Sequence, residues 1–471
     1  MGTMTFPEPE KQRTEDIEPL RVAVIGSGPA GIYAADALTR QRRVPVHVDI
    51  MDRLPTPYGL VRYGVAPDHL KIKGVAGTLR QVLEHPDVRF LGGVEFGTDL
   101  SRADLSHTHH AVVYATGAAV DRRMGVPGED LPGSVAATDF VNWYCGHPDS
   151  DLEQFVLNSE EVAVVGAGNV AIDVSRILVK TADELSHTDI PQPVLDVLAA
   201  SRVRTVHLLA RRGPLQAKFT APELRGLLSL PGVGVDVRAD QVDIDPATVG
   251  VDEPESARPS RAARTNLKLL REHVVSPTQG GPRTVRLHFW ARPLEVRGDE
   301  YGVSGIRVEH TRFASDGSLV GTGEITDLDV GMVLRSVGYA SVPLPQVPFD
   351  DRGRTVPQEE GRVLDTEGDV VRGDYVAGWI KRGPTGVIGT NKSDAAATIR
   401  SLLEDAPVLR EAAGDLVPLE KVLDERGLTH SDYRDWLRID SAEARQAEEL
   451  GRGERVKLHG WDAYRRVLNG N

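Results

Sequence analysis

Residues 21–41 read RVAVIGSGPAGIYAADALTRQ, and this stretch decides the fold. The apolar run at its start has the composition of a buried parallel strand, the glycines break it, and the Ala/Leu-rich segment that follows has helical spacing. Gly26, Gly28 and Gly31 stand in the pattern G-x-G-x-x-G, with Pro29 and Ala30 before the last of them. The first glycine makes a tight turn, the second lets backbone N–H groups approach a pyrophosphate, and the third lets helix and strand pack closely. Asp52 ends the next apolar strand, 21 residues after Gly31, where a carboxylate can accept hydrogen bonds from both hydroxyls of a ribose. The alternative is a tight strand-to-helix turn with a surface Asp.

The same order recurs at 161–178, EVAVVGAGNVAIDVSRIL, with Gly166, Gly168 and Ala171 at the fingerprint positions and Asn169 and Val170 opening the helix. The following strand, TVHLLA, ends in Arg211 and Arg212 where an NAD-binding unit places its acid. Paired guanidiniums there suit a 2′-phosphate, which predicts NADP and not NAD, against a merely solvated basic turn. A third glycine-rich segment, GWIKRGPTGVIGTN at 378–391, precedes another helix. The helix N-terminus behind Gly386, Val387 and Ile388 would stabilise negative charge on the N1/C2=O edge of an isoalloxazine. Trp379 lies along the flavin or nicotinamide in that reading, and is ordinary packing in the other.

Composition narrows the chemistry. The chain has 471 residues, 40% hydrophobic and 26% charged, with a formal net charge of −14. That is an ordinary globular balance, and the acidic sum argues against nucleic acid or an anionic membrane as the principal partner. The single cysteine, Cys145, excludes an intramolecular disulfide, a C-x-x-C pair, a cysteine-ligated cluster and a thiolate zinc site. Redox chemistry here requires a bound organic cofactor, and Cys145 itself reads as a small buried hydrophobe. His107, His109 and His110 read as surface residues and not metal ligands; no metal site is expected. No run reaches the ~18 apolar residues of a membrane span, so the expectation is a cytoplasmic protein with a disordered leader over residues 1–20.

The segments around DVGMVLRSVGYA (329–340) and DYVAGW (374–379) resemble the first unit in style more than the second. The fold class is therefore α/β, with two Rossmann-like dinucleotide-binding domains, the second inserted into the first. The expected divisions are 21–120 for the first part of the outer domain, 121–330 for the inserted one, and 331–471 for the remainder with C-terminal helices. A Pro/Gly linker is expected at 125–133, and a strand pair near VRFLGGVEFG (88–97).

The strings PTPYGLVRYGVAPDH (55–69), GAGNVAID (166–173), RRGPLQAKFTAPELR (211–225) and GWIKRGPTGVIGTNKSDA (378–395), with Gly26–Gly31, resemble the adrenodoxin-reductase type of ferredoxin–NADP reductase, including its bacterial members. The resemblance runs from about Arg21 into the C-terminal region. It implies a glutathione-reductase-like flavoenzyme with FAD in the split domain and NADP(H) in the inserted one, passing electrons from NADPH through FAD to a ferredoxin. It also implies FAD contacts at the Gly26–Gly31 turn, Asp52, Leu60, Val94, Trp379 and Gly386–Ile388. NADP(H) contacts are implied at Arg122, Asn169–Ala171, Arg211, Arg212, Glu223 and Gly386. His69 matches the family's active-site histidine, which is paired there with an acid; the family's ELRE reads Glu223-Leu224-Arg225-Gly226 in this chain, which puts that pairing in doubt.

An acidic ferredoxin needs a basic face on an acidic reductase. The candidates are Lys218, Arg225, Arg258, Arg261, Arg264, Lys268 and Arg271. A monomer is expected. The rival readings are an FAD/NADPH-dependent monooxygenase and a non-catalytic redox-sensing flavoprotein.

Overall fold

The computed structural model describes residues 18–244, 259–277 and 280–470. The expected leader therefore lies, up to residue 17, outside the described residues, as does Arg258 of the basic run.

Two sheets organise the chain. The first has seven strands in the order Gln358–Glu359, Arg362–Leu364, Val370–Val376, Ala111–Tyr114, Leu20–Ile25, Val46–Asp52, Val88–Gly92. The strand of the first glycine fingerprint is central and runs parallel to both neighbours, with Val24 beside Ile50 on one side and Val113 on the other. Alternate residues enter two different cores. Leu20, Val22 and Val24 pack with the helix Pro29–Arg40, whereas Ala23 and Ile25 pack on the opposite face with Leu91 and Val376. Burial on both faces is why the strand reads as an unbroken apolar run.

The second sheet repeats the plan in the order Ser134–Ala136, Met332–Arg335, Glu161–Val165, Thr205–Ala210, Arg283–Phe289, Val233–Val237. Its second-fingerprint strand again lies between parallel neighbours. Helices cover one face, and a three-stranded antiparallel sheet, Ala291–Asp299, Gly302–Phe313 and Leu319–Leu328, covers part of the other through Val296, Ile306 and Val308. All six strands of this sheet fall in sequence between Tyr114 and Gln358, so the second Rossmann-like unit is an insertion in the first. The chain leaves and returns side by side: Val120–Asp121 pairs antiparallel with Tyr339–Ala340.

The segment VRFLGGVEFG differs from expectation. It forms one strand, Val88–Gly92, followed by an isolated bridge between Phe96 and Leu100, because Gly93 and Gly97 adopt positive φ and turn the chain away. The C-terminal helices Leu419–Glu425, Tyr433–Glu449 and Trp461–Asn469 return to the first sheet, where Ser431 pairs with Gly92. No helix among the described residues is long and apolar enough to cross a membrane.

Candidate active site

Each glycine elbow is built the same way. Gly26 has φ of 107°, and a Cβ there would stand 2.6 Å from the carbonyl oxygen of Ala115, just past the adjoining strand. Gly166 has φ of 145°, and its Cβ would collide with the carbonyl of Ser336, past the corresponding strand of the second sheet. A side chain at either position would be strained and would push the sheet apart. Behind these turns, the helices Pro29–Arg40 and Asn169–Val179 begin at Gly28 and Gly168 with no side-chain cap, which leaves their first-turn N–H groups facing outward. A Cβ on Gly28 would meet nothing nearer than Gly59 Cα at 4.0 Å, and one on Gly168 nothing within 4 Å. These are open cradles whose first-turn N–H donors no side chain caps, and their chemistry fits pyrophosphates.

Asp52 ends its strand beside the first cradle. Its Oδ2 accepts from Ser27 N at 2.8 Å and Ser27 Oγ at 2.6 Å, and its Oδ1 from Leu54 N at 3.0 Å, which fixes the carboxylate at the turn. Val94, buried, donates its N–H to the Asp52 carbonyl at 3.0 Å, and Leu60 opens the short helix Leu60–Tyr63 behind Gly59. In the second unit the Asn169 side chain accepts from Thr220 N at 2.8 Å, tying the elbow to the start of the helix Ala221–Leu228. Arg211 and Arg212 are exposed, and no side-chain partner of either is found among the described residues. Arg122 is also exposed, with Nε 3.3 Å from the Tyr339 carbonyl.

A run of contacts joins the two elbows. A Cβ on Gly378 would stand 2.5 Å from Ala30 Cβ, so the 378–391 segment is seated on the first elbow's helix. The Trp379 ring lies 5.5 Å from that of Tyr339 at 40°, and Tyr339 belongs to the returning crossing, three residues after the Ser336 that covers Gly166. Trp379 Nε1 is buried without a hydrogen-bond partner among the described residues. A buried indole N–H normally finds an acceptor, and a ligand carbonyl or phosphate at this wall would supply one. Gly386–Ile388 lead into the helix Thr390–Ala413, whose N-terminus also lacks a side-chain cap; Gly386 and Val387 are exposed and Ile388 is half-buried.

His69 lies where the first domain meets the helix of the second elbow. Its Nε2 is 2.8 Å from Asp173 Oδ1 and 3.1 Å from Glu223 Oε2. Arg176, one helical turn beyond Asp173, reaches Asp68 at 2.7 Å, Asp173 at 3.0 Å and Glu223 at 3.4 Å, and Lys180 reaches Asp68 at 2.8 Å. Burial works against a charged imidazole here, but the Asp173 and Glu223 carboxylates outweigh it and push the His69 pKa up to about 9. With His69 protonated, three cations balance three carboxylates. The proton then sits on Nε2, so Arg176 Nη2, 2.7 Å away, serves Asp173 and Asp68 and not the imidazole. His69, Asp173 and Glu223 are close enough to share a metal ion, but the Arg176 guanidinium already stands among them as the fixed positive charge.

An acid stands beside His69 although residue 226 is glycine. Glu223 itself pairs with His69, and Asp173 supplies a second acid; a side chain at Gly226 would meet nothing within 4 Å. Asp68, Asp173 and Arg176 were not singled out by the sequence reading. The signal for Asp173 and Arg176 was two charged residues, three apart, on a helix whose other positions after Val170 are all apolar or small and buried, since buried charges occur in pairs. The histidine cluster is corrected in part. His109 is buried, with Nδ1 2.7 Å from Thr108 Oγ1 and Nε2 3.0 Å from Asp49 Oδ2, and half-buried His110 accepts from Arg21 N at 2.9 Å; only His107 is at the surface. Cys145 is fully buried.

Residues 20–247 match the family model described as pyridine nucleotide-disulphide oxidoreductase. The chain is 39% identical to the mitochondrial NADPH:adrenodoxin oxidoreductase of Arabidopsis thaliana over 462 residues, covering 94% of each chain. It is 38% identical to the NADPH-ferredoxin reductase FprA of Mycobacterium leprae over 448 residues, covering 93% of this chain and 96% of the other. The chain belongs to the NADPH–adrenodoxin/ferredoxin reductase family. The structure of Mycobacterium tuberculosis FprA in complex with NADPH superimposes with a TM-score of 0.88 at 38% identity, covering 96% of this chain and all of that one. The disulphide chemistry in the family model's description is not open to this chain, whose one thiol is buried.

Proposed function

We propose that this reductase holds FAD on the first elbow, through Gly26, Gly28, Pro29, Ala30, Gly31 and Asp52, with Leu60, Val94, Trp379 and Gly386–Ile388 completing the site. NADP(H) takes the second elbow, through Asn169, Val170 and Ala171, with Arg211 and Arg212 on the 2′-phosphate and Arg122, Glu223 and Gly386 contributing. The split domain comprises residues 21–120 and 331–471, and the NADP domain residues 121–330. The protein is a flavoprotein oxidoreductase that passes electrons from NADPH through FAD to a ferredoxin-type acceptor.

The observation that carries the reading is the wall formed by Trp379 and Tyr339. It is seated on one elbow, continuous with the other, and carries a buried indole N–H with no hydrogen-bond partner among the described residues. Bound FAD supplies the conversion of a two-electron hydride donor into single-electron delivery to an iron–sulfur partner. The chain's own share is placement. The cradles would hold both pyrophosphates, the uncapped helix Thr390–Ala413 would offer positive potential to the flavin edge, and Trp379 with Tyr339 would form the wall beside the ring systems. His69 keeps a proton on Nε2 between Asp173 and Glu223; hydride transfer requires no proton from it, so its part is electrostatic and positional.

Each elbow lies wholly within one chain, which supports a monomer, and the charge of −14 supports a protein that takes no nucleic acid. One purification tests the whole reading. The protein should be yellow, bleach with NADPH under argon, and reduce cytochrome c only when a ferredoxin is added. Oxygen-dependent NADPH consumption with an organic substrate would favour a monooxygenase, and binding without turnover a sensor.

A further inference from the structure

Trp290 has φ of 62°, an uncommon backbone conformation for a bulky side chain, at the single residue between the parallel strand Arg283–Phe289 and the antiparallel strand Ala291–Asp299. Such strain persists only where the surroundings fix it, and it gathers at ligand clamps. Here the surroundings are the Arg211–Arg212 turn. Trp290 N–H donates to the Arg212 carbonyl at 3.1 Å, and the Thr311 hydroxyl donates to the Arg211 carbonyl at 2.8 Å. The ring of bonds closes because Thr311 N–H donates to the Trp290 carbonyl at 2.8 Å. Thr311 is 1% exposed and sits where the pairing of Gly302–Phe313 with Leu319–Leu328 shifts register, so its hydroxyl is aimed out of the ladder. The indole lies directly on Gly213, where a Cβ would collide with Cζ2, and Phe313 meets it edge-on at 5.3 Å.

Both carbonyls of the arginine pair are thus fastened from behind, while both guanidiniums are exposed and have no side-chain partner among the described residues. We infer that Trp290 and Thr311 are positioning residues that hold Arg211 and Arg212 outward and thereby set the preference for a 2′-phosphorylated dinucleotide. This rests on the reading of that pair as the 2′-phosphate clamp. The three-stranded sheet, which carries no part of either elbow, becomes the buttress of coenzyme choice.

The test uses the flavin-loaded enzyme and 2′,5′-ADP as a probe of the clamp alone. Thr311→Val keeps the side chain's shape and removes the donor. It should weaken 2′,5′-ADP binding and raise the NADPH KM by about fivefold, the worth of one neutral hydrogen bond, with kcat and the NADH KM held and Thr311→Ser restoring both. Trp290→Gly, which accepts the same φ, should loosen the clamp in the same direction. Unchanged 2′,5′-ADP affinity in Thr311→Val, or equal loss for NADH and NADPH, overturns the inference. The double variant Arg211→Ala/Arg212→Ala separates the two layers. If it loses 2′,5′-ADP binding while Thr311→Val does not, only the brace falls; if it too binds normally, the clamp reading falls and takes the brace with it.

Discussion

Two carboxylates reach the same nitrogen of His69, and this decides its titration. The folded protein holds the imidazolium up to about pH 9, whereas an unfolded chain releases the proton near 6.5. The group's folded pKa is the higher one. Its stabilising contribution is therefore complete below pH 6.5 and is lost as pH rises through 9. His69→Gln keeps the volume and removes the titration. The difference in thermal midpoint between the native holoenzyme and this variant should shrink between pH 6.5 and 9.5. A constant gap across that range would show that His69 does not titrate there. Legibility also differed at this scale. His69 and Glu223 lay in strings whose resemblance marked them, and Arg211 with Arg212 followed from strand order. Asp173 and Arg176 did not stand out, because a helix contributing mainly apolar residues to the core reads as packing until a partner 104 positions away is seen.

At the scale of elements, the short helix Leu60–Tyr63 is held by the C-terminal helices. Arg62 makes a bidentate pair with Glu443, which is fully buried, and reaches Tyr464 Oη at 3.1 Å; its guanidinium lies 5.0 Å from the centre of the Trp436 ring. Tyr464 Oη is also 3.0 Å from Tyr63 Oη. Removing one member of such a pair leaves a buried charge and costs about 3–5 kcal/mol. Glu443→Gln should accordingly lower the denaturation midpoint by several degrees and speed flavin release, both followed by flavin fluorescence. An unchanged midpoint would place this pair outside the molecule's stability. The strands and helices of both elbows were legible because glycine spacing and burial on two faces leave local marks. The destination of the C-terminal helices was not, since amphipathy says that a face is covered and not by what.

At the scale of the molecule, a chain of charge −14 needs a local basic face if its ferredoxin partner is as acidic as the resemblance implies. Lys218, Arg225, Arg261, Arg264 and Lys268 are exposed on the inserted domain, three of them on the helix Arg261–Val275. Arg271 is removed from this face, because its guanidinium turns inward onto the carbonyls of Val242 at 2.8 Å and Ile244 at 2.5 Å. Reversing Arg261 and Arg264 to Glu should slow ferredoxin-dependent cytochrome c reduction, most at low ionic strength, and leave ferricyanide reduction alone. Equal losses in both assays would move the docking face elsewhere. The duplicated sheet plan was legible from two fingerprints alone, whereas the three-stranded buttress was not, since nothing in its alternating polar strands names the face it covers.

The ribbon of Val120–Asp121 against Tyr339–Ala340 sets how the inserted unit is attached. Its entry and exit are separated by one strand spacing, about 5 Å. The host sheet therefore has only a gap of that width to bridge, whatever lies beyond it. Lengthening a loop or exchanging a whole lobe past this neck leaves the register of Ala111–Tyr114 against Val370–Val376 untouched. A graft of another pyridine-nucleotide lobe must match that gap, the charges that Asp68, His69 and Lys73 present to it, and the anchors the tail extends to it, among them Arg452 on the carbonyls of Ser186, Thr188 and Ile190.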